Sequence, residues 1–356
     1  MLRDAQHAAT EHIVVTVQVA VTPYTTCFVA ADRMADAPIP PKATRVVPAN
    51  SMSPKEGVYI LFVHGAGRDI FYWERIQELA AERGYASVAV SLAHDNWHRK
   101  LGYYCRQIAH VVDAAHLPGR PILWGHSLGS LISSCYLASS NRPWGDANQP
   151  ADKRALGMIL YSPVGYLPVK LAWAQLGEVL AAQKKLKKTH GHAYPAVLTG
   201  NTVNADVLRA RNFKPDCQTT TLIKGSEEGG GGTLDAYCKK MAESYGDAPG
   251  FSDKLWLSVL TGTKYGKARN ITVPMLVVAG SSTGVLVDDD LVCSEKTAAS
   301  IVAFHDRPDC TRLPPVASQC HDLGDAGWEE EVFAPCIAKC DEWAAAPAEV
   351  VVAINK

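Results

Sequence analysis

No stretch of the 356-residue chain approaches the ~18 consecutive apolar residues of a membrane-spanning helix, so no membrane span is expected. Charge of one sign is also missing. The 35 Lys and Arg residues balance 36 Asp and Glu for a formal net charge of −1, which leaves no electrostatic footprint for nucleic acid or an anionic membrane surface. Residues 1–12 mix Arg3, Asp4, His7 and Glu11 with small side chains and contain no apolar signal-peptide core. No internal repeat is visible. Residues 227–233 hold four consecutive glycines but lack the strand-to-helix junction and the Lys-Ser or Lys-Thr pair of a phosphate-cradling loop. A mobile loop is expected there. Metal-ligand spacing is sparse too. Cys336 and Cys340 stand one turn apart without a second pair, and His190-x-His192 lacks a third ligand, so no metal is expected.

What is present describes an ordinary globular protein, with 47% hydrophobic and 20% charged residues. Ten cysteines bear on the compartment. Cys105 and Cys135 fall on apolar helix faces, where a thiol acts as a small hydrophobe, and this favours the cytoplasm. Cys27, Cys217, Cys238, Cys293, Cys310, Cys320, Cys336 and Cys340 form an even set partly in loops; if a leader was removed and these pair, the protein is secreted.

Residues 13–21 and 25–30 are β-prone, and 37–54 read as a proline-rich connector. Apolar strands are expected at 57–63, 86–92, 157–162 and 273–279, with a fifth ending at His126. Helical spacing marks Ile76, Leu79 and Ala80, then Leu101, Tyr104, Cys105, Ile108 and Val112, and finally Val332, Phe333, Cys336, Ile337 and Cys340. Strands alternating with helices predict an α/β fold with a mostly parallel central sheet covered by helices on both faces. Residues 165–270 differ in texture and read as an inserted cap, with 1–164 and 271–356 forming the core.

The strongest signal is Trp124–Gly125–His126–Ser127–Leu128–Gly129, a strand end that opens into a helix carrying Leu128, Leu131, Ile132 and Cys135 on one face. Gly-x-Ser-x-Gly in that setting is a nucleophile elbow, which lifts the Ser127 hydroxyl above the carboxyl end of the strand. A serine hydroxyl attacks only when a base takes its proton. With the order Ser, acid, His that accompanies this elbow, the base lies after the late strand at His305 or His321. His321 is the choice, in the loop Ser318–Gln319–Cys320–His321–Asp322 before the closing helix. His305 ends a helix-like stretch and reads as a cap or surface residue.

With Val63–His64–Gly65–Ala66, the elbow, the 274–280 strand and His321, residues 57–345 resemble the α/β-hydrolase superfamily. The resemblance implies Ser127 as nucleophile, His321 as general base, and the backbone N–H groups of Ala66 and Leu128 as the oxyanion hole. It also implies an Asp a few residues after the late strand, where this chain has Gly280–Ser281–Ser282–Thr283–Gly284 instead. The first carboxylates are Asp288, Asp289 and Asp290, of which Asp288 is the chosen acid. Asp289, Asp290, a carboxylate after the 157–162 strand, or a Ser–His dyad aided by Ser282 or Thr283 are the alternatives, and the Asp run also suits a helix N-cap. Phe71, Tyr72 and Trp73 either line the pocket or fill the core, and His94 and His98 stand near its rim.

The expected activity is hydrolysis of a carboxylic ester or related acyl bond of a mostly apolar small molecule, through an acyl-enzyme on Ser127 and without a cofactor. Cap residues Trp173, Leu176, Tyr245, Phe251 and Trp256 point to that apolar character. Thioesterase, lactonase and peptidase activities are close variants. The alternative is a non-hydrolytic protein on the same fold: a small-molecule receptor, lyase or acyltransferase.

Overall fold

The computed structural model describes residues 41–65, 68–92, 101–114, 117, 119–138, 154–163, 205, 219–224, 231–245, 271–279, 295–314 and 327–346. In chain order the elements are β1 (Ala43–Val47), β2 (Val58–Val63), α1 (Glu74–Glu82), β3 (Ala86–Ser91), α2 (Leu101–Ala114), β4 (Arg120–His126), α3 (Leu128–Ala138), β5 (Gly157–Tyr161), β6 (Thr219–Lys224), β7 (Gly231–Thr233), α4 (Leu234–Tyr245), β8 (Met275–Val278), α5 (Glu295–His305), β9 (Cys310–Arg312) and α6 (Ala334–Ala345). A 3-10 turn, Ile70–Trp73, precedes α1, and a π-helical turn, Glu329–Phe333, precedes α6.

Seven strands form one sheet in the order β1-β3-β2-β4-β5-β8-β9, and β6 pairs with β7 separately. Every pairing in the large sheet is parallel except the antiparallel edge β1–β3. The central strands read as continuous apolar runs because both faces are covered: every residue of β2, β5 and β8 is buried. Alternation then sorts the side chains. Leu61, Val63, Leu123, Leu160 and Val277 pack with residues of α2, α3 and α5. Ile60, Phe62, Trp124, Tyr161 and Val278 pack on the other face with residues of α1, α4 and α6. Helix α3 is buried on nearly all sides, and its C-terminal carbonyls are met by Arg154, which donates to Tyr136 O at 2.6 Å and Leu137 O at 2.7 Å.

Several expectations are corrected. The 37–54 connector contains strand β1, whose ladder to β3 runs from Ala43 opposite Ser91 to Val47 opposite Ser87. An edge strand pairs on one side only and carries little apolar patterning of its own. The glycine tract is not wholly a mobile loop. Gly231–Thr233 is strand β7, held against β6 by the backbone pairing that glycine supplies as well as any residue. It also leads straight into α4, where the Thr233 hydroxyl accepts from the Ala236 N–H at 3.3 Å. The strand-to-helix junction is therefore present, although the Lys-Ser or Lys-Thr pair is not. His305 is buried at the end of α5, not at the surface. Cys310, Cys336 and Cys340 are buried free thiols, not disulfide partners, and burial pushes the thiols of Cys336 and Cys340 upward so that they stay protonated. Tyr72 and Trp73 are core residues and Phe71 is half-buried.

Part of the 165–270 segment enters the core layer. Leu234, Tyr237, Cys238 and Met241 of α4 are buried among residues from β2, α1 and α6. Lys240 of the same helix sits 2.8 Å from Glu74 and 4.3 Å from the centre of the Phe71 ring. The strands expected at 13–21 and 25–30 lie outside the described residues. Among the described residues no helix is long and apolar enough to cross a membrane.

Candidate active site

Ser127 stands between the last residue of β4 and the first of α3, with φ of 52°. A left-handed serine is strained, and the surrounding hydrogen bonds hold it there. Its N–H donates to Tyr161 O at 2.9 Å, its carbonyl accepts from the Ser130 N–H at 3.0 Å, and the Ser130 hydroxyl donates to Gly125 O at 2.6 Å. Leu128 opens α3, so its N–H belongs to the first turn, where no intrahelical carbonyl is in reach. Close approach explains Gly129: a Cβ there would lie 2.1 Å from Val63 O and 2.6 Å from His64 O. The helix thus starts directly against the end of β2.

His64, fully buried at that strand end, ties three segments together. Its Nε2 accepts from the Leu92 N–H at 3.0 Å and its Nδ1 lies 2.8 Å from Gly65 O. Since a backbone N–H can only donate, Nε2 is the acceptor and Nδ1 carries the proton that Gly65 O receives. The ring is neutral: burial lowers its pKa below 6.5 and outweighs the Asp69 carboxylate and the bond to Gly65 O, both of which raise it, while Arg68 and Lys42 add to the lowering. Gly65 itself is pressed against the elbow, since a Cβ on it would stand 2.8 Å from Ser127 Cβ and 3.0 Å from His126 Nδ1.

Behind the serine, the His126 ring stacks on Tyr72 at 4.7 Å and tilts against Tyr161 at 5.6 Å. Arg68, also buried, lies over the Tyr72 ring at 5.8 Å. The Asp69 carboxylate accepts from the Ile70 N–H at 2.7 Å and stands 3.8 Å from Lys42, which fixes the turn that follows the loop after β2. Among the described residues no group of three or more His, Cys, Asp or Glu side chains gathers as a metal site.

Of the residues singled out in the sequence, Ser127 and Leu128 occupy the turn between β4 and α3. Ala66, His321 and Asp288 lie outside the described residues, as do Asp289, Asp290, Ser282, Thr283, His94, His98, His190 and His192, so no distance joins them to Ser127. Ser130 was not singled out, and His64 was named only as part of the loop that carries the family resemblance. Ser130 carries its signal in the motif's own spacing, three residues after Ser127, whereas His64 is bound to an N–H 28 residues away that no local pattern reveals.

The chain matches the model of the alpha/beta hydrolase family over residues 60–314. Among solved structures, a thermophilic esterase from Thermogutta terrifontis is 12% identical, with 85% of this chain and 92% of that one covered at a TM-score of 0.50. A monoacylglycerol lipase from Paleococcus ferrophilus is 16% identical, covering 85% of this chain and 97% of that one at a TM-score of 0.49. Among curated proteins nothing matches. At these identities the structural likeness concerns the fold.

Proposed function

This chain belongs to the alpha/beta hydrolase family, and from that premise we propose that it is a serine hydrolase cleaving a carboxylic ester or related acyl bond of a mostly apolar small molecule. The observation that carries the proposal is Ser127 itself: a left-handed serine at the carboxyl end of a central strand, backed by Gly65 on one side and the start of α3 on the other. In open α/β sheets ligands bind outside those strand ends.

The roles follow from the chemistry. Ser127 Oγ attacks the carbonyl carbon while His321 takes its proton, and the leaving alcohol receives that proton as the acyl-enzyme forms. Water activated by the same base then releases the acid. Asp288 orients His321 and stabilises the imidazolium formed during attack. The N–H groups of Leu128 and Ala66 receive the oxyanion, and such a donor is typically worth about 3 kcal/mol of barrier. His64 supports this hole at a distance. The Gly65 carbonyl it holds belongs to the peptide unit whose N–H is that of Ala66, and because a peptide is planar, pinning one end pins the other. No cofactor takes part in this scheme. The 165–270 segment serves in this reading as the cap that controls access to the site. The buried free thiols suit a reducing compartment, so we place the protein in the cytoplasm.

The test is hydrolysis of short-chain p-nitrophenyl esters together with labelling by a fluorophosphonate. Wild-type protein should turn over the esters and take the label on Ser127, and Ser127→Ala should do neither. Ester turnover that survives in Ser127→Ala refutes the assignment.

A further inference from the structure

Three non-glycine residues among the described ones have left-handed backbones: Ser127 at φ 52°, Ser162 at φ 44° and Asp306 at φ 47°. Asp306 closes the C-terminus of α5, where that conformation is ordinary. Ser162 has no such excuse. It follows β5 one step beyond the His126–Tyr161 pair, so it stands in register beside Ser127 on the neighbouring strand. It also precedes Pro163, which disfavours helical backbone conformations at the preceding residue. Ser162 is fully buried, its N–H donates to Val278 O at 2.8 Å, and its hydroxyl finds no hydrogen-bond partner among the described residues. Strain and an unspent buried hydroxyl coincide at one residue, between the strand that carries the nucleophile and β8. Such costs persist where function uses them.

Neither of these strand ends is followed directly by an acid. β5 runs into Ser162–Pro163–Val164–Gly165, and β8 into Ala279–Gly280–Ser281–Ser282–Thr283–Gly284. A carboxylate that orients the base therefore comes from farther along the chain, and a carboxylate buried beside an imidazole needs fixed donors for its remaining lone pairs. We propose that Ser162 is a positioning residue, whose hydroxyl donates a hydrogen bond to the carboxylate that orients the general base of Ser127. The proposal rests on the serine-hydrolase reading, and no proton changes owner in it: the hydroxyl keeps its hydrogen and holds the carboxylate in line with the ring.

Ser162→Gly removes the hydroxyl and relieves the left-handed strain, while Ser162→Ala removes the hydroxyl and keeps the strain. If the hydroxyl serves a charged partner, kcat on p-nitrophenyl butyrate falls about ten- to hundred-fold in both variants, with KM within about two-fold of wild type. Fluorophosphonate labelling of Ser127 slows by a similar factor, and the thermal midpoint of Ser162→Gly stays at or above that of wild type. A Ser162→Gly protein with wild-type kcat and labelling rate overturns the proposal, whatever its stability. A rise in KM at unchanged kcat also overturns it, because the hydroxyl then meets substrate. Wild-type protein that neither labels nor hydrolyses the ester instead removes the serine-hydrolase reading, and the proposal falls with it.

Discussion

Replacing His64 with phenylalanine isolates what that ring does, because the substitution keeps a planar ring in a fully buried site and deletes both polar atoms. The Leu92 N–H and the Gly65 carbonyl, now held at 3.0 and 2.8 Å, lose their partners. A buried group stranded in this way costs about 1–3 kcal/mol, so the pair costs roughly 2–6 kcal/mol, a large share of the ~5–15 kcal/mol that holds an ordinary domain. The loss also depends on pH with a defined sign. Burial keeps the folded-state pKa of His64 below 6.5, so below that pH the unfolded chain takes up a proton that the folded chain refuses. Wild-type stability therefore declines as pH falls below 6.5, by up to ~1.4 kcal/mol per pH unit for this group, and the phenylalanine variant has no such component. The gap between the two proteins is widest near pH 8 and narrows by up to about 2 kcal/mol at pH 5. Urea unfolding followed by the fluorescence of the eight tryptophans measures it at each pH. A gap below about 1 kcal/mol at pH 8, or one that widens on acidification, refutes the neutral latch assigned to this ring.

His321→Ala should abolish most ester turnover while leaving the thermal midpoint near that of wild type, and combining it with Ser127→Ala should lower activity no further than either change alone. Asp288→Asn should lower kcat by orders of magnitude at nearly constant KM; if Asn variants at Asp288, Asp289 and Asp290 all keep wild-type turnover, the acid lies elsewhere or the site runs on a dyad. Gly65→Ala would bring a Cβ to 2.8 Å from Ser127 Cβ, so kcat should drop at least ten-fold through displacement of the serine, and an alanine variant with wild-type kcat and label uptake counts against the packing of this loop on the elbow.

The central strands were legible because burial on both faces demands unbroken apolar runs, and β2, β5 and β8 end within two residues of where those runs predict. β1 was hidden among Pro38, Pro40, Pro41 and Pro48, since the stability of an edge strand comes from its ladder and not from side-chain pattern. Glycine told two stories. At Gly129 the motif announced a steric need that the carbonyls of Val63 and His64 supply, whereas the 227–233 tract suggested looseness and part of it pairs as β7. Side-chain bonds across long separations were the least readable: His64 could be read only as part of the loop that resembles the family's oxyanion segment, and its acceptor role depends on where β3 ends in space.

Helix α4 sets a limit on how the 165–270 segment can be exchanged between proteins. A graft that cut the chain at 165 and 270 would carry away Leu234, Tyr237, Cys238 and Met241, each of which fills space against β2, α1 or α6. Burial of such a side chain contributes about 1.5–3 kcal/mol, so the acceptor framework would open a groove where those four had been. A donor segment must therefore bring its own replacement for this helix, including a cation above Phe71 and beside Glu74. Junctions outside 219–245 would leave the pairing of β6 with β7 and the footing of α4 intact.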